Sequence, residues 1–525
     1  MTRNAIVAAL VFVAPLSATA QVHTHPQANA SERLGTAHFA TSCNAAVSEK
    51  FDRAITLLHS FEFGAAISGF NEVLAADSTC AMAHWGIAMS RWSNPMAAGN
   101  RSANQLKQGK TAADAALRLS DRVTERERGY IAAVGRLYAD YDRVDQLTRT
   151  AAYERAMSEL ATRQAADTEA TIFHAISLVA AASPTDKTYA NQRKAGGMLE
   201  ALWLKQPNHP GLAHYIIHSY DYPALAPQAA AAARRYAEIA PSAAHALHMP
   251  SHTFTRVGLW KQSVDMNRRS AEVAMRTASI AEALHAADYA EYAYLQMRQD
   301  SAARRIVDDL PWMVEKFDVN AITGAAPGSA GVFAIAAIPA RYALEREAWK
   351  EAAALKPATS AFPWTEAMTY FARSIGASRT GDAVKAREAI DSLRSIQERL
   401  VATEPYWAEQ VAIQHLGARA WLDHAERRPD SALARMREAA AREDATDKNA
   451  VTPGPLAPAR ELLGDMLMQL NRPAEALAEY RATLAKEPNR YRATSGAMRA
   501  AAASGDRKAE ADYRARLKTL TARAM

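Results

Sequence analysis

The chain has 525 residues, 49% hydrophobic and 22% charged, which excludes a disordered or low-complexity polypeptide. Two cysteines exclude a disulfide-framework scaffold, and 22 glycines exclude a collagen-like repeat. The net charge of +6 is thinly spread, with Lys and Arg interspersed among Asp and Glu, so no basic block marks a nucleic-acid partner.

Residues 1–20 read as a secretory signal. Arg3 is followed by an apolar run, Ala5 to Leu16, and then by Ser17-Ala18-Thr19-Ala20, with small residues placed for cleavage after Ala20. The run is too short to span a bilayer, and no later segment is long and apolar enough to do so. The expected location is the periplasm or the exterior. Residues 21–45 form an N-terminal tail. Export gives the two cysteines meaning. Cys43 precedes one helical-period segment and Cys80 follows the next, so antiparallel arms bring the two together. A disulfide is expected, with two buried thiols as the alternative.

The rest of the chain is an Ala-rich succession of helical periods. Ala66, Phe70, Leu74 and Ser78 open a weak repeat pattern. Pro207 and Pro241 are 34 residues apart and frame two units, 210–243 and 244–277. The stretch Phe317 to Ile338 is rich in Gly and Ala and reads as a loop or boundary. Segments 340–356 and 364–400 read as degenerate hairpins, and Asp444 to Pro458 is a second break. The clearest unit starts at Ala457. Its Leu463-Gly464, Ala476, Tyr480 and Pro488 match the tetratricopeptide repeat (TPR), a helix–turn–helix unit. A last hairpin runs from Tyr491 to Leu520 and turns at Ser504-Gly505-Asp506. The expected fold is all-α, a TPR-type solenoid in two packed arrays: 46–320 with a His-rich groove, a boundary at 321–338, and 339–525.

His59–Phe61, Cys80–Gly86, His248–His252 and Val451–Pro455 carry the segments His-Ser-Phe, Cys-Ala-Met-Ala-His-Trp-Gly, His-Met-Pro-Ser-His and Val-Thr-Pro-Gly-Pro. With these the chain resembles exported bacterial TPR proteins of no settled activity. The resemblance implies a fold and supplies no function.

Eight of the 15 histidines lie between 174 and 285. His214 and His218 are the fifth and ninth residues of one framed unit, and His248 and His252 are the fifth and ninth of the next. Equivalent residues of stacked units share a face, and spacing i, i+4 puts two imidazoles on one side of a helix. The concave groove is expected to gather His174, His214, His218, His248, His252 and His285 as metal ligands. His245, Asp221, Tyr222, Asp288, Tyr289 and Tyr292 are expected to contact a ligand there. Several neutral imidazoles suit Zn, Cu or Fe. Pro250, between two of the histidines, removes a backbone donor and threatens ideal helical geometry. His59 reads as a packing residue, and no G-x-S-x-G, P-loop or H-E-x-x-H motif is present. Two functions follow. One is an exported scaffold that takes a protein, peptide or small ligand in the groove. The other is a metal-binding protein or metal-dependent enzyme built on the histidines.

Overall fold

A computed structural model describes residues 32–96, 100–183 and 185–522. The signal-type segment and the tail up to residue 31 lie outside the described residues. The described residues form 25 α-helices and three short 3-10 turns, with no strand among them. None of these helices is long and apolar enough to cross a membrane.

Consecutive helices pack antiparallel as hairpins, and one turn design recurs. After the helix Ser48–His59, Phe61 adopts a left-handed φ of 56°, and the Glu62 N–H reaches back to the Leu57 carbonyl at 3.0 Å. The same bond joins Leu259 to Phe254, Ser279 to Ala274, Gln299 to Tyr294, Ala348 to Ala343, Arg428 to Asp423 and Arg472 to Leu467, at 2.8–3.0 Å. This is the Schellman closure, which satisfies the last helical carbonyls and turns the chain back on itself. Its repetition makes the chain an all-α, TPR-type solenoid. The expected repeat residues occupy the expected places. Tyr480 is fully buried between Gly464 and Gly496, where a Cβ would come within 2.8 and 2.4 Å of its ring.

The framed units appear as helix pairs. The first is Pro210–Ser219 with Ala230–Ile239. The second is Ala244–His248 plus Pro250–Arg256 with Trp260–Arg276. Pro250 interrupts the first helix of that unit only at Met249, which keeps right-handed helical angles, so the axis continues. Cys43 and Cys80 lie at disulfide distance, with sulfurs 2.03 Å apart at the ends of the first hairpin.

Two expectations need correction. Residues of the tail from Leu34 onward are packed: Phe39 is buried among Phe51, Trp85 and Tyr130. The segment 321–338 is a loop only up to Pro327, because the helix Gly328–Glu345 begins there. Its small residues serve close packing, as with Ala330, Ala334 and Ala337, all buried. One large apolar core is built mainly from Leu34 to Phe254, and another from Ala281 to Tyr513.

Candidate metal centre

The helix Pro210–Ser219 carries His214 and His218 one turn apart. The segment from Ala244 to Arg256 carries His245, His248 and His252, and the helix Ile280–Gln296 carries His285. These six imidazoles gather into two adjacent triads. His214, His218 and His245 each offer a ring nitrogen within 4.8 Å of the other two, and His248, His252 and His285 do the same. The triads are built alike. Ring centroids of His214 lie 4.8 and 4.9 Å from those of His218 and His245. Those of His248 lie 4.9 and 4.4 Å from those of His252 and His285. Across the triads, His245 and His248 are 5.9 Å apart and His218 and His252 are 6.3 Å apart.

Each triad is held from behind through Nδ1. His214 Nδ1 donates to the His59 carbonyl at 2.7 Å, and His245 Nδ1 to Glu282 Oε1 at 3.0 Å. His248 Nδ1 donates to Asn267 Oδ1 at 2.7 Å, and His252 Nδ1 to Asp221 Oδ2 at 2.8 Å. The Asn267 amide is oriented by its own Nδ2, which donates to the Ser263 carbonyl at 2.7 Å. All four partners are acceptors, so all four Nδ1 atoms carry the proton, and in a neutral ring Nε2 is then a bare lone pair. Yet His214 and His245 set Nε2 against Nε2 at 3.1 Å, and His248 and His252 do so at 3.0 Å. Two lone pairs at that distance repel unless a cation lies between them. The third member of each triad adds a buried nitrogen with no hydrogen-bond partner among the described residues, His218 Nε2 and His285 Nδ1. This donor set fits a metal ion: three imidazoles, with outer acceptors fixing tautomer and ring orientation.

Electrostatics disfavour a charge on His214, His218, His248, His252 and His285. Burial, then the neighbouring histidines, hold His214, His218 and His285 well below the ordinary imidazole value. Burial, then His252, depresses His248 to about 3. Burial alone would raise the Asp221 carboxyl, but Lys448, Arg256 and His252 pull it well below the usual carboxylate range. Glu282 likewise resists burial through His245 and sits at about 2. Glu62, whose Oε1 accepts the His245 N–H at 3.2 Å, is pushed up to about 8 by burial and by Glu282.

The groove is not open. The six histidines are 0–5% exposed, and the cavity beside them measures about 10 Å³, the space of one water molecule. Two segments cover it, Ala325-Ala326-Pro327 and Ala450-Val451, both from stretches read as breaks in the sequence. Ala326 N–H donates to Glu282 Oε2 at 2.8 Å, and Tyr289 OH donates to the Thr452 carbonyl at 3.0 Å. The breaks are the roof of the site. Phe61, in its left-handed turn, packs edge-on against His214 at 4.4 Å and flat along His245 at 5.7 Å.

Asp221 holds His252, and Tyr289 stacks on His252 with centroids 4.9 Å apart. Four expected residues stand elsewhere. His174 faces Glu154 at 3.4 Å, outside both triads. Tyr222 accepts from Gln192 at 3.2 Å and packs on Tyr189. Asp288 is paired with the buried Arg341. Tyr292 donates to Glu487 at 2.8 Å and accepts from Arg490. His245, expected as a ligand contact, is a full member of a triad. Missed altogether were Glu282, Asn267, Glu62 and the His59 carbonyl. Only Glu282 left a signal, three residues before His285 on the same helix face. His59 and His209 both bind Glu169, at 2.9 Å each, in a buried cluster whose Nε2 atoms are satisfied without a metal.

No family model matches the chain, and no curated protein does. Solved structures that resemble it include the human IFIT1 dimer with m7Gppp-AAAA, at 10% identity, covering 92% of this chain and 96% of that one, with a TM-score of 0.41. Yeast Tom70 is 12% identical over 88% of this chain and 96% of its own, with a TM-score of 0.39. At these values the likeness carries no weight for function.

Proposed function

We propose that this solenoid is a metalloprotein that holds two transition-metal ions, one in each triad of imidazoles. The supporting observation is the pair of Nε2–Nε2 contacts at 3.0 and 3.1 Å between rings whose Nδ1 protons are already committed. His214, His218 and His245 would hold one ion, and His248, His252 and His285 the other. Three uncharged nitrogens leave the charge of each ion uncompensated and suit Cu or Zn better than Fe, which favours carboxylate in its shell. When bound, such an ion supplies Lewis-acid or redox chemistry at an open coordination position.

The chain's own residues do the rest. Glu282, Asn267, Asp221 and the His59 carbonyl orient the rings, and the two roof segments exclude bulk water. The cavity admits water-sized molecules to the imidazoles and leaves no room for a peptide beside them. A role as a binding scaffold therefore belongs to other surfaces of the solenoid. The cysteine pair at disulfide distance accords with export, which rests on residues 1–20.

Metal analysis of protein purified without a polyhistidine tag tests the reading. The expected content is about two ions per chain after loading with Cu(II) or Zn(II) and desalting, falling to about one in His214→Ala or His248→Ala. A folded, loaded protein that retains none refutes it.

A further inference from the structure

A larger cavity, of about 220 Å³, is bounded by residues of both cores. One wall is aromatic. Trp364 and Trp407 stack with centroids 3.9 Å apart and planes within 6°, and Phe333 stands 6.1 and 6.2 Å from them. Another wall is cationic. Arg256 and Lys448 both line it, and both turn to the single carboxylate of Asp221.

The two cations are not equally satisfied. Arg256 Nε donates to Asp221 Oδ1 at 2.9 Å, and its Nη2 to the Asp221 carbonyl at 2.8 Å. The Lys448 side chain is 7% exposed, and its nearest acceptors are Asp221 Oδ2 at 3.5 Å and Tyr289 OH at 3.4 Å. Ammonium–carboxylate bonds are normally shorter, so this buried charge is held only by a long contact to a carboxylate that Arg256 already engages.

The other acids of the wall are engaged elsewhere. Asp444 is bound by Arg460 at 2.7 Å and by Lys486 at 2.6 Å, and Asp447 by Lys187 at 2.7 Å. Glu487 accepts from Tyr292 and faces Arg490. Glu443 accepts the Ala459 N–H at 2.9 Å, and burial pushes its carboxyl up to about 8, so at neutral pH it is uncharged. Gln414 Oε1, also on the wall, is buried and has no partner among the described residues. The cavity thus combines a flat apolar wall with a buried ammonium that lacks a short contact.

We propose that this cavity binds a small aromatic carboxylate, with its ring against Trp364 and Trp407 and its carboxylate on Lys448 beside Arg256. The volume suits one or two fused rings and excludes a folded macromolecule. The carboxylate supplies the short contact that Lys448 lacks. Binding here does not require a metal in either triad, although Asp221 connects the cavity to His252.

Calorimetric titration of the full chain with 2-naphthoate and with its uncharged amide, 2-naphthamide, tests the proposal. Naphthoate should bind once per chain and at least about tenfold tighter than the amide. Lys448→Met should abolish that preference while leaving amide affinity within about twofold, and Lys448→Arg should keep it. Trp407→Ala should weaken both ligands. Chelator-treated protein should give the same preference, which separates failure of the cavity from failure of the metal reading. Equal binding of acid and amide, a preference that survives Lys448→Met, or no heat from wild-type protein with millimolar naphthoate would overturn it.

Discussion

Glu282→Gln perturbs one triad and spares the other. The carboxylate is 1% exposed and works at both ends. Oε1 accepts from His245 Nδ1 at 3.0 Å, and Oε2 accepts from the Ala326 N–H at 2.8 Å. An amide has one acceptor oxygen. Turned towards His245, it sets its NH2 against the Ala326 N–H; turned the other way, it strips His245 of the acceptor that fixes its tautomer. Losing an acceptor behind a ligating histidine typically weakens metal binding 10–100-fold, or about 1.4–2.7 kcal/mol. The strained roof contact adds about 1–3 kcal/mol of lost folding stability, so affinity must be expressed per folded molecule. Competition with a chromophoric chelator for Zn(II) should resolve two sites, one weakened by that factor and one unchanged. Asn267→Ala should give the reciprocal result, because Asn267 backs His248 in the other triad. Equal weakening of both sites by either variant, or no weakening by Glu282→Gln, would refute the assignment of partners to triads.

Three further outcomes are expected. Replacing Cys43 and Cys80 with Ser reopens a 37-residue separation and should lower unfolding free energy in urea by about 4 kcal/mol; an unchanged midpoint would show that the bridge does not form. Gly496→Ala drives a Cβ to 2.4 Å from the Tyr480 ring and should cost about 1–3 kcal/mol in thermal denaturation, with metal content per folded chain unchanged. Glu443 titrates near 8 in the folded protein against an ordinary 4.5, so the native state keeps a proton that the unfolded chain releases. Stability from this group is complete below pH 4.5 and is lost as pH rises towards 8. Glu443→Gln should therefore gain about 1–2 kcal/mol over wild type between pH 5 and pH 9, since part of the side chain meets solvent, and a parallel pH dependence would count against it.

The fold was legible where periodicity carried it. Prolines 34 residues apart framed helix pairs that exist, and Gly464 with Tyr480 marked a packing contact that exists. The clustering of the histidines was legible for the same reason, since a repeat-spaced imidazole pair must share a face. What lay outside the repeat was not legible. His174 has the right residue type near the right helices, but nothing in its spacing could say that it faces Glu154. Asp288, Tyr289 and Tyr292 lie on one helix. Asp288 and Tyr292 fall four residues apart and turn to Arg341 and Glu487, and only Tyr289 turns to the histidines. The acceptors behind the triads come from a helix terminus, a neighbouring helix and a loop, contacts set by packing over long separations that no local pattern encodes. The two breaks were recognised as irregular. Their function as a roof depends on three-dimensional closure.

The segment from His245 to His252 explains why the triads come as a pair. Residues i, i+3 and i+7 fall along one stripe of a helix, so His245, His248 and His252 form a column of imidazoles on a single rod. The first of them completes the triad begun by His214 and His218; the other two begin the triad that His285 completes. Each triad therefore takes two histidines from one repeat and one from the next, which is what stacking of like units produces when the same two positions are imidazoles in successive repeats. The third histidine breaks the symmetry: His245 follows His214 by 31 residues, whereas His285 follows His248 by 37. That difference follows mainly from position on the helix, since His245 is the second residue of Ala244–His248 and His285 the sixth of Ile280–Gln296, and it means that the two triads share a backbone without sharing an environment. Glu282 and the His59 carbonyl back one triad, and Asp221 and Asn267 the other. Two ions so placed would be held by one rigid element yet differ in the charge behind their ligands, so their affinities should separate even though their donor atoms are the same.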